Sequence, residues 1–354
     1  MVKNERFLVL GMMSGTSLDG LDLVLSDFQK KDNCWGYQVK KATTIPYPKA
    51  LRMRLANAMR ESAVSFVKLD IELGEFMADA VNVFLSDVTE KPFLLASHGH
   101  TVFHQPQESF STQIGSGAVL SARTGIRTVC DFRSKDVALG GQGAPLVPVG
   151  DEWLFSHYDF CLNLGGFCNI SFRRAGVRHA FDIAPCNMAL NILANECGQD
   201  FDENGALARQ GVVNKLLFTE LNQLAFYQLG NVSKSLGKEW FDDIFFPVIS
   251  KYAISVKDKL RTAIEHIAYQ ITKVINEEIG TQVLVTGGGA LNTFLVETIR
   301  KNTTKNICLP DEETINYKEA IIFAFLGLLR WQGEINVLHQ VTGAMRDSSS
   351  GAIY

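Results

Sequence analysis

The sequence predicts an α/β chain built from two similar halves, and three observations carry that expectation. Strand-like and helix-like stretches alternate, glycine-rich turns stand at strand ends, and one opening pattern occurs twice, roughly half a chain apart. Alternation of this kind builds α/β sheets whose ligands sit at strand termini. Two halves that each open on a glycine-centred hairpin suggest two lobes clamping a nucleotide.

Size and composition set the outer limits. At 354 residues the chain exceeds one comfortable core, so two domains are expected. They are drawn as an N-terminal lobe, 1–135, rejoined by the tail 333–354, and a C-terminal lobe, 136–332. Hydrophobic residues make up 46% and charged residues 20%, with a net charge of −4. That is ordinary globular composition, and it offers no basic patch for nucleic acid or an anionic membrane. No apolar run is long enough to span a bilayer, and the first residues lead into a strand without a signal-peptide pattern. The seven cysteines form no Cys-x-x-Cys pair, which argues against structural zinc or a disulfide framework and for reduced thiols in a cytoplasm. A homodimer is the expectation only from the general frequency of such assemblies.

The first hairpin sets the pattern for the rest. Phe7–Leu10 is an apolar run, Gly11, Gly15 and Gly20 break it with Ser14, Thr16, Ser17 and Asp19 between them, and Leu21–Leu25 resumes it. That predicts strand, polar turn, strand. Glycines there let backbone N–H groups close on an anion, yet neither familiar nucleotide fingerprint is present. From spacing alone the turn is open between a phosphate-binding hairpin and a plain one.

The elements then follow in order. Cys34–Thr44 is a further strand, and Leu51–Glu61 and Val67–Val88 have helical periodicity. Phe93–His104 is a strand running into a polar turn, Gln113–Thr124 a strand end with a short helix, and Thr128–Arg133 a strand with a charged exit. Ala138–Pro148, rich in Gly and Pro and uncharged, is the expected boundary. Asp159–Phe172 repeats the hairpin around Gly165 and Gly166. Ala180–Asn187 is a strand carrying Asp182 near its end, and a helix-like stretch, Met188–Glu196, follows it. Ile254–Ile279 is the longest helical pattern. Gln282–Asn292 opens from a buried strand into Gly287-Gly-Gly289, and Glu319 begins an apolar helix, Ala320–Trp331.

Taken together these motifs resemble the anhydro-N-acetylmuramic acid kinases, members of the actin, hexokinase and Hsp70 superfamily. The resemblance spans essentially the whole chain. It rests on Gly11-Met-Met-Ser-Gly-Thr-Ser-Leu-Asp-Gly-Leu-Asp22, Ser97-His-Gly-His-Thr101, and Asp131-Phe-Arg133 with Gly140-Gly-Gln-Gly-Ala-Pro-Leu-Val-Pro148. Further on come Leu162-Asn-Leu-Gly-Gly-Phe-Cys-Asn-Ile-Ser171, Phe181-Asp182 with Pro185 and Asn187, Thr286-Gly-Gly-Gly-Ala-Leu-Asn292, Lys318-Glu-Ala320 and Val341-Thr-Gly-Ala344.

The resemblance implies a two-lobed actin/hexokinase-like (ribonuclease H-like) fold with a nucleotide cleft between lobes. It also implies ATP- and water-dependent conversion of 1,6-anhydro-N-acetylmuramic acid to N-acetylmuramic acid 6-phosphate in cell-wall recycling. Asp182 would be the general base that activates water at the anomeric carbon. Gly15, Thr16, Ser17, Leu18, Asp19, Gly20, Leu21 and Asp22 would hold the ATP phosphates. Gly165, Gly166 and Asn169 would form the second phosphate hairpin, and Gly287, Gly288 and Gly289 would sit by the adenosine.

Each position also has a plainer account. Asp182 precedes a helix pattern and caps it as readily as it serves a reaction; the resemblance favours the base. Glu319 reads either as a charge near a helix N-terminus or, by the resemblance, as a sugar contact. His98 and Thr101 end a strand and offer donors to a sugar, or are satisfied locally. Arg133 suits the lactyl carboxylate of muramic acid by charge complementarity. Asp19 and Asp22 suit Mg²⁺, which prefers oxygen ligands and keeps several waters, or else one of them caps the turn.

The chain departs from the family pattern at Ile183-Ala-Pro-Cys186, at Asn191 and at His100. Loss of glycines and a hydroxyl there puts substrate contacts and turnover in question. Two alternatives follow: a kinase of the same fold acting on another sugar, and an ATP-binding module that no longer catalyses.

Overall fold

The computed structural model describes residues 5–15, 18–32, 34–230 and 234–354. Its packing divides the chain into two units, 1–154 with 317–354 and 155–316. Both divisions fall away from the expected positions, for a physical reason. The Gly-rich segment after residue 138 is not a linker. The Gln142 amide donates to the Thr342 carbonyl at 2.8 Å and the Met345 amide to the Leu139 carbonyl at 3.0 Å. Further along, a Cβ on Gly150 would lie 2.4 Å from Ile322.

In chain order the strands are β1 (Glu5–Ser14), β2 (Leu21–Lys31), β3 (Cys34–Ile45), β4 (Leu94–Gln105), β5 (Phe110–Ile114), β6 (Arg127–Cys130), β7 (Phe160–Leu164), β8 (Phe167–Arg174), β9 (Val177–Pro185), β10 (Gln282–Thr286), β11 (Asn306–Cys308) and β12 (Ala352–Ile353). The first unit holds the sheet β12-β6-β4-β1-β2-β3, with β5 paired to β4. The second holds β11-β10-β7-β8-β9. In each, three antiparallel strands (β1-β2-β3, β7-β8-β9) are extended by parallel neighbours of the first (β4 and β6; β10 and β11). The repetition read from the two hairpins is therefore a repetition of sheet topology. It is the duplicated ribonuclease H-like order of the actin/hexokinase-like fold.

Parallel strands need both faces covered, and β1 shows how the sequence achieves it. Leu8, Leu10 and Met12 point to one face, where they join Leu69, Leu73 and Met77 of the helix Ala63–Phe84 in a buried cluster. Gly11 points to the other face, against the helix Glu312–Gln332. A Cβ there would lie 2.0 Å from the Ala320 carbonyl oxygen, so only glycine lets this helix lie on the strand. Phe28 stacks near Phe325 on the same face, ring centroids 5.6 Å apart.

The second unit is built around the helix Val256–Glu277, which starts at a Ser255 cap and buries Leu260, Ile264, Ile267 and Ile271. A fully buried histidine interrupts its apolar stripe. His266 meets the Asn222 side chain at 2.9 Å and the Tyr227 hydroxyl at 3.0 Å. No helix among the described residues is long and apolar enough to cross a membrane.

Candidate functional site

In the first unit the candidate residues gather at the end of β1, the start of β2 and the middle of β4. His98 and Thr101 thus lie within a strand that runs on to Gln105 rather than at its end. After Ser14 the chain turns through Gly15, whose carbonyl accepts from the Leu18 amide at 3.2 Å. Leu18 takes a left-handed backbone, φ 59°, a strained choice for a branched residue. Thr16 and Ser17, expected in the phosphate turn, lie outside the described residues. Asp19 is exposed. Gly20 is buried, and a Cβ on it would lie 2.7 Å from the Ile45 carbonyl oxygen, so the turn is drawn tightly onto β3. Leu21 is core. Asp22 faces Thr44, whose hydroxyl donates to Oδ1 at 2.6 Å. Burial raises its carboxyl above the usual range, Thr44 opposing and the charge of Asp19 adding to the rise.

The parallel register of β1 and β4 sets Ser14 opposite His100. Tyr47 donates to Ser14 Oγ at 2.7 Å, and Ser14 Oγ lies 2.9 Å from His100 Nδ1. Burial pushes the His100 imidazole down to about 4, so it is neutral near pH 7 and shares one hydrogen bond with the Ser14 hydroxyl. His100, one of the departures from the family pattern, thus ends a hydrogen-bonded chain that braces the strand leading into the turn.

His98 and Arg133 form a pair. Arg133 donates through Nε at 3.2 Å and Nη2 at 2.8 Å to His98 Nε2, and through Nη1 at 2.6 Å to the Gly143 carbonyl. Burial lowers the Arg133 guanidinium to about 10, with Glu319 opposing; it stays charged at neutral pH. Of the two readings of His98, sugar donor or locally satisfied histidine, its contacts match the second: it is buried, with Nδ1 on the Gly99 carbonyl at 2.9 Å and Nε2 on Arg133. Thr101 is half-buried, 3.4 Å from Gln113 Nε2.

Glu319 corrects another expectation. The helix starts at Glu312, not at residue 319, so Glu319 stands about two turns inside, beyond the reach of the helix N-terminal dipole. Its carboxyl is open to solvent yet deep among protein atoms, and that loss of bulk water raises it; Arg133 lowers it, Asp22 raises it and Lys318 lowers it. Next to it, Lys318 is held in a buried ion pair with Asp151 at 2.6 Å. Asp22, Glu319 and Arg133 thus share one electrostatic environment, which no sequence spacing indicates.

In the second unit the β7–β8 turn, the end of β9 and the glycine loop after β10 come together. The Gly166 carbonyl accepts from the amides of Cys186 at 2.8 Å and Met188 at 3.2 Å, and the Gly165 carbonyl from Asn187 at 3.1 Å. The hairpin thereby caps the helix Asn187–Asn195, which has no side-chain cap. Gly287 has φ 82°, and a Cβ on it would lie 2.5 Å from Asn163 Oδ1. On Gly289 a Cβ would lie 2.8 Å from Leu164 Cβ. Asn187 Nδ2, at the start of that helix, donates to the Leu164 carbonyl at the end of β7 at 3.0 Å. Gly288 is the open member of the three, with nothing closer than 3.6 Å to an added Cβ.

Asp182 lies opposite Asn169 in the β8–β9 register, beside a bulge. Its amide donates to the Lys234 carbonyl at 3.0 Å, and its Oδ2 accepts from the Leu236 amide at 2.8 Å. It caps no helix. Burial raises its carboxyl to about 6, the Leu236 hydrogen bond opposing. That value suits a general base near neutral pH. The 234–236 strap that holds it was not found from the sequence, because an irregular segment carries no periodic signal.

The departures at Ile183, Ala184 and Cys186 point inward. All three side chains belong to the buried core of this unit. A methyl or thiol there fills core volume and leaves the surface beside Asp182 to other residues. Asn191 is exposed.

The pattern is that of known proteins over its full length. A family model described as anhydro-N-acetylmuramic acid kinase matches residues 7–354. The anhydro-N-acetylmuramic acid kinase of Vibrio parahaemolyticus is 35% identical over 368 residues, covering 98% of each chain. That of Haemophilus influenzae is 36% identical over 377 residues, covering 98% of this chain and 97% of its own.

Proposed function

The chain belongs to the anhydro-N-acetylmuramic acid kinase family, an ATP-using kinase family of cell-wall recycling, and from that premise we propose how its residues divide the reaction. ATP and water convert 1,6-anhydro-N-acetylmuramic acid to N-acetylmuramic acid 6-phosphate and ADP. Asp182 takes a proton from water, whose oxygen attacks the anomeric carbon. The bond from that carbon to O6 breaks, and the freed O6 attacks the γ-phosphorus of ATP. Phosphoryl transfer then asks chiefly for positioning and charge neutralisation.

The observation that carries this reading is the raised, anchored carboxylate of Asp182 at the end of β9. A base is most useful when its pKa lies close to the working pH and its geometry is fixed. Glu319 and Thr101 take sugar hydroxyls and Arg133 takes the lactyl carboxylate. The turn from Gly15 to Asp22 holds phosphate oxygens, with Gly165, Gly166 and Asn169 as the second phosphate hairpin and Gly287–Gly289 beside the adenosine. No cluster of three or more His, Cys, Asp or Glu side chains fit to hold a metal occurs among the described residues. Asp19 and Asp22 nevertheless suit Mg²⁺ that keeps water and phosphate oxygens for the rest of its shell, neutralising charge on the phosphates.

The buried placement of Ile183, Ala184 and Cys186 favours the family's own sugar over a different one. The test is turnover of ATP and 1,6-anhydro-N-acetylmuramic acid in ¹⁸O-water. Label is expected in the new anomeric hydroxyl and absent from phosphate. Label in released inorganic phosphate, with the sugar unchanged, would leave only an ATPase.

A further inference from the structure

We propose that His98 is a positioning residue: it holds the Arg133 guanidinium so that its remaining donors form the fork that receives the carboxylate of the sugar. The proposal rests on the assignment of that carboxylate to Arg133.

The argument is one of donors and acceptors. The Gly99 carbonyl, 2.9 Å from His98 Nδ1, can only accept, so Nδ1 carries the ring proton and Nε2 presents a lone pair. That carbonyl is fixed in direction: Gly99 has φ 72°, and a Cβ on it would lie 2.6 Å from the Ile114 carbonyl oxygen. The His98 ring is packed against Phe323, centroids 4.6 Å apart. The lone pair receives both Nε and Nη2 of Arg133, which occupies one edge of the guanidinium. Gly143 accepts one N–H of Nη1. Of the five N–H donors of an arginine, one on each terminal nitrogen is then left without a partner among the described residues. One free donor on each terminal nitrogen can meet the two oxygens of a carboxylate.

The Gly143 side of the clamp is anchored as well. Its amide donates at 2.8 Å to Asp136 Oδ2, and Asp136 Oδ1 accepts from the Thr342 hydroxyl at 2.8 Å. Asp136 is fully buried. Burial and the neighbouring guanidinium both keep the His98 imidazole neutral, which the acceptor role requires. His98 therefore does for Arg133 what an orienting carboxylate does for a catalytic histidine, without adding a negative charge that would repel the substrate.

The test compares two sugars, 1,6-anhydro-N-acetylmuramic acid and the same anhydro sugar lacking the lactyl ether, on wild type and three variants. His98→Phe keeps the ring and removes the acceptor. His98→Asn places its side-chain oxygen short of Arg133. His98→Gln carries an oxygen near the position of Nε2. On the acidic sugar, His98→Phe and His98→Asn are expected to lose on the order of 30-fold in kcat/KM, mostly through KM, while His98→Gln stays within about threefold. On the neutral sugar all four enzymes are expected to be equal, with the KM for ATP unchanged throughout.

Equal losses on both sugars, or wild-type preference retained in His98→Phe, would overturn the positioning role and leave the Arg133 assignment standing. A wild type that does not distinguish the two sugars would overturn that assignment, and this proposal with it. Should His98→Phe fail to fold, His98→Asn against His98→Gln decides the question alone.

Discussion

Asp182 is fastened at both ends of its residue to one strap: its amide donates to the Lys234 carbonyl, and its Oδ2 accepts from the Leu236 amide. The carboxylate is thus aimed by backbone, which a single side-chain substitution elsewhere does not loosen. Oδ1 has no hydrogen-bond partner among the described residues, so one oxygen is held and the other is available to a proton.

The pH behaviour of Asp182 follows from its raised carboxyl. The base role proposed for Asp182 needs the ionised form, so kcat/KM is expected to fall with an apparent pKa near 6 as pH drops. Stability runs the opposite way. A carboxyl raised in the folded state binds its proton more tightly there, so its contribution is full below the unfolded value, near 3.9, and is lost as pH rises through about 6. Asp182→Asn is therefore expected to be about 10²–10⁴-fold slower, to bind ATP as before, and to melt higher than wild type at pH 8 but not at pH 4. Near wild-type turnover by this variant would remove Asp182 from the mechanism.

Gly11 and Gly36 make a matched pair. At Gly11 an added Cβ would lie 2.0 Å from a backbone oxygen, whereas Gly36 has nothing within 4 Å. Gly11→Ala is expected to cost about 3 kcal/mol or more, and Gly36→Ala to stay within about 0.5 kcal/mol. Urea denaturation of both variants, read as a shift in midpoint at constant slope, measures this directly.

The glycine loop after β10 separates packing from ligand contact. Gly287→Ala meets both a left-handed backbone and the Asn163 side chain, while Gly288→Ala meets no close neighbour. Gly287→Ala is expected to lower the melting temperature and raise the KM for ATP at least tenfold. Gly288→Ala should melt as wild type, so any change in its KM for ATP reports a methyl group beside the nucleotide. Isothermal titration with a nonhydrolysable ATP analogue is the cleanest readout. Unchanged ATP affinity in both variants would take the adenosine away from this loop.

Buried neutral histidines set the acid limit. His100 is held down to about 4 and His266 to about 3, each chiefly by burial. A depressed folded value means that the unfolded chain binds the proton first, so this stability is full above about 6.5 and is lost as pH falls toward those values. Each site adds up to about 1.4 kcal/mol per pH unit to the slope. His100→Gln is expected to flatten the stability profile between pH 6 and 4.5 by about one proton, measured as the urea midpoint across that range. An unchanged slope would mean that His100 is protonated in the folded state.

Sequence pattern carried the sheets further than the site. The two hairpins were legible because apolar runs broken by glycine have few structural solutions, and β1, β7 and β10 lie where those runs do. Helix starts were less legible. Glu312, Glu313 and Tyr317 are polar enough to resemble a loop, so the helix carrying Glu319 is two turns longer at its start than the apolar stretch suggests. At the site, residue types were readable but partners were not. Nothing in the spacing of His98 and Arg133 says that one consumes the other's donors. Nor does the Asp182 motif, more than fifty residues away, announce Leu236. Such pairings depend on tertiary contact, which periodicity does not encode.

The contact between Gly11 and Ala320 has a mechanical consequence. The strand that leads into Gly15 rests directly, backbone on backbone, on the helix that presents Glu319. Two such surfaces cannot slide independently, because any shift of one drives a carbonyl into the other. On the roles proposed above, nucleotide grip and sugar grip in this unit are cut from a single stiff block. Redesign of the sugar pocket by moving that helix would detune the phosphate turn as well, so a change of substrate is more readily reached through side chains on the helix than through its position.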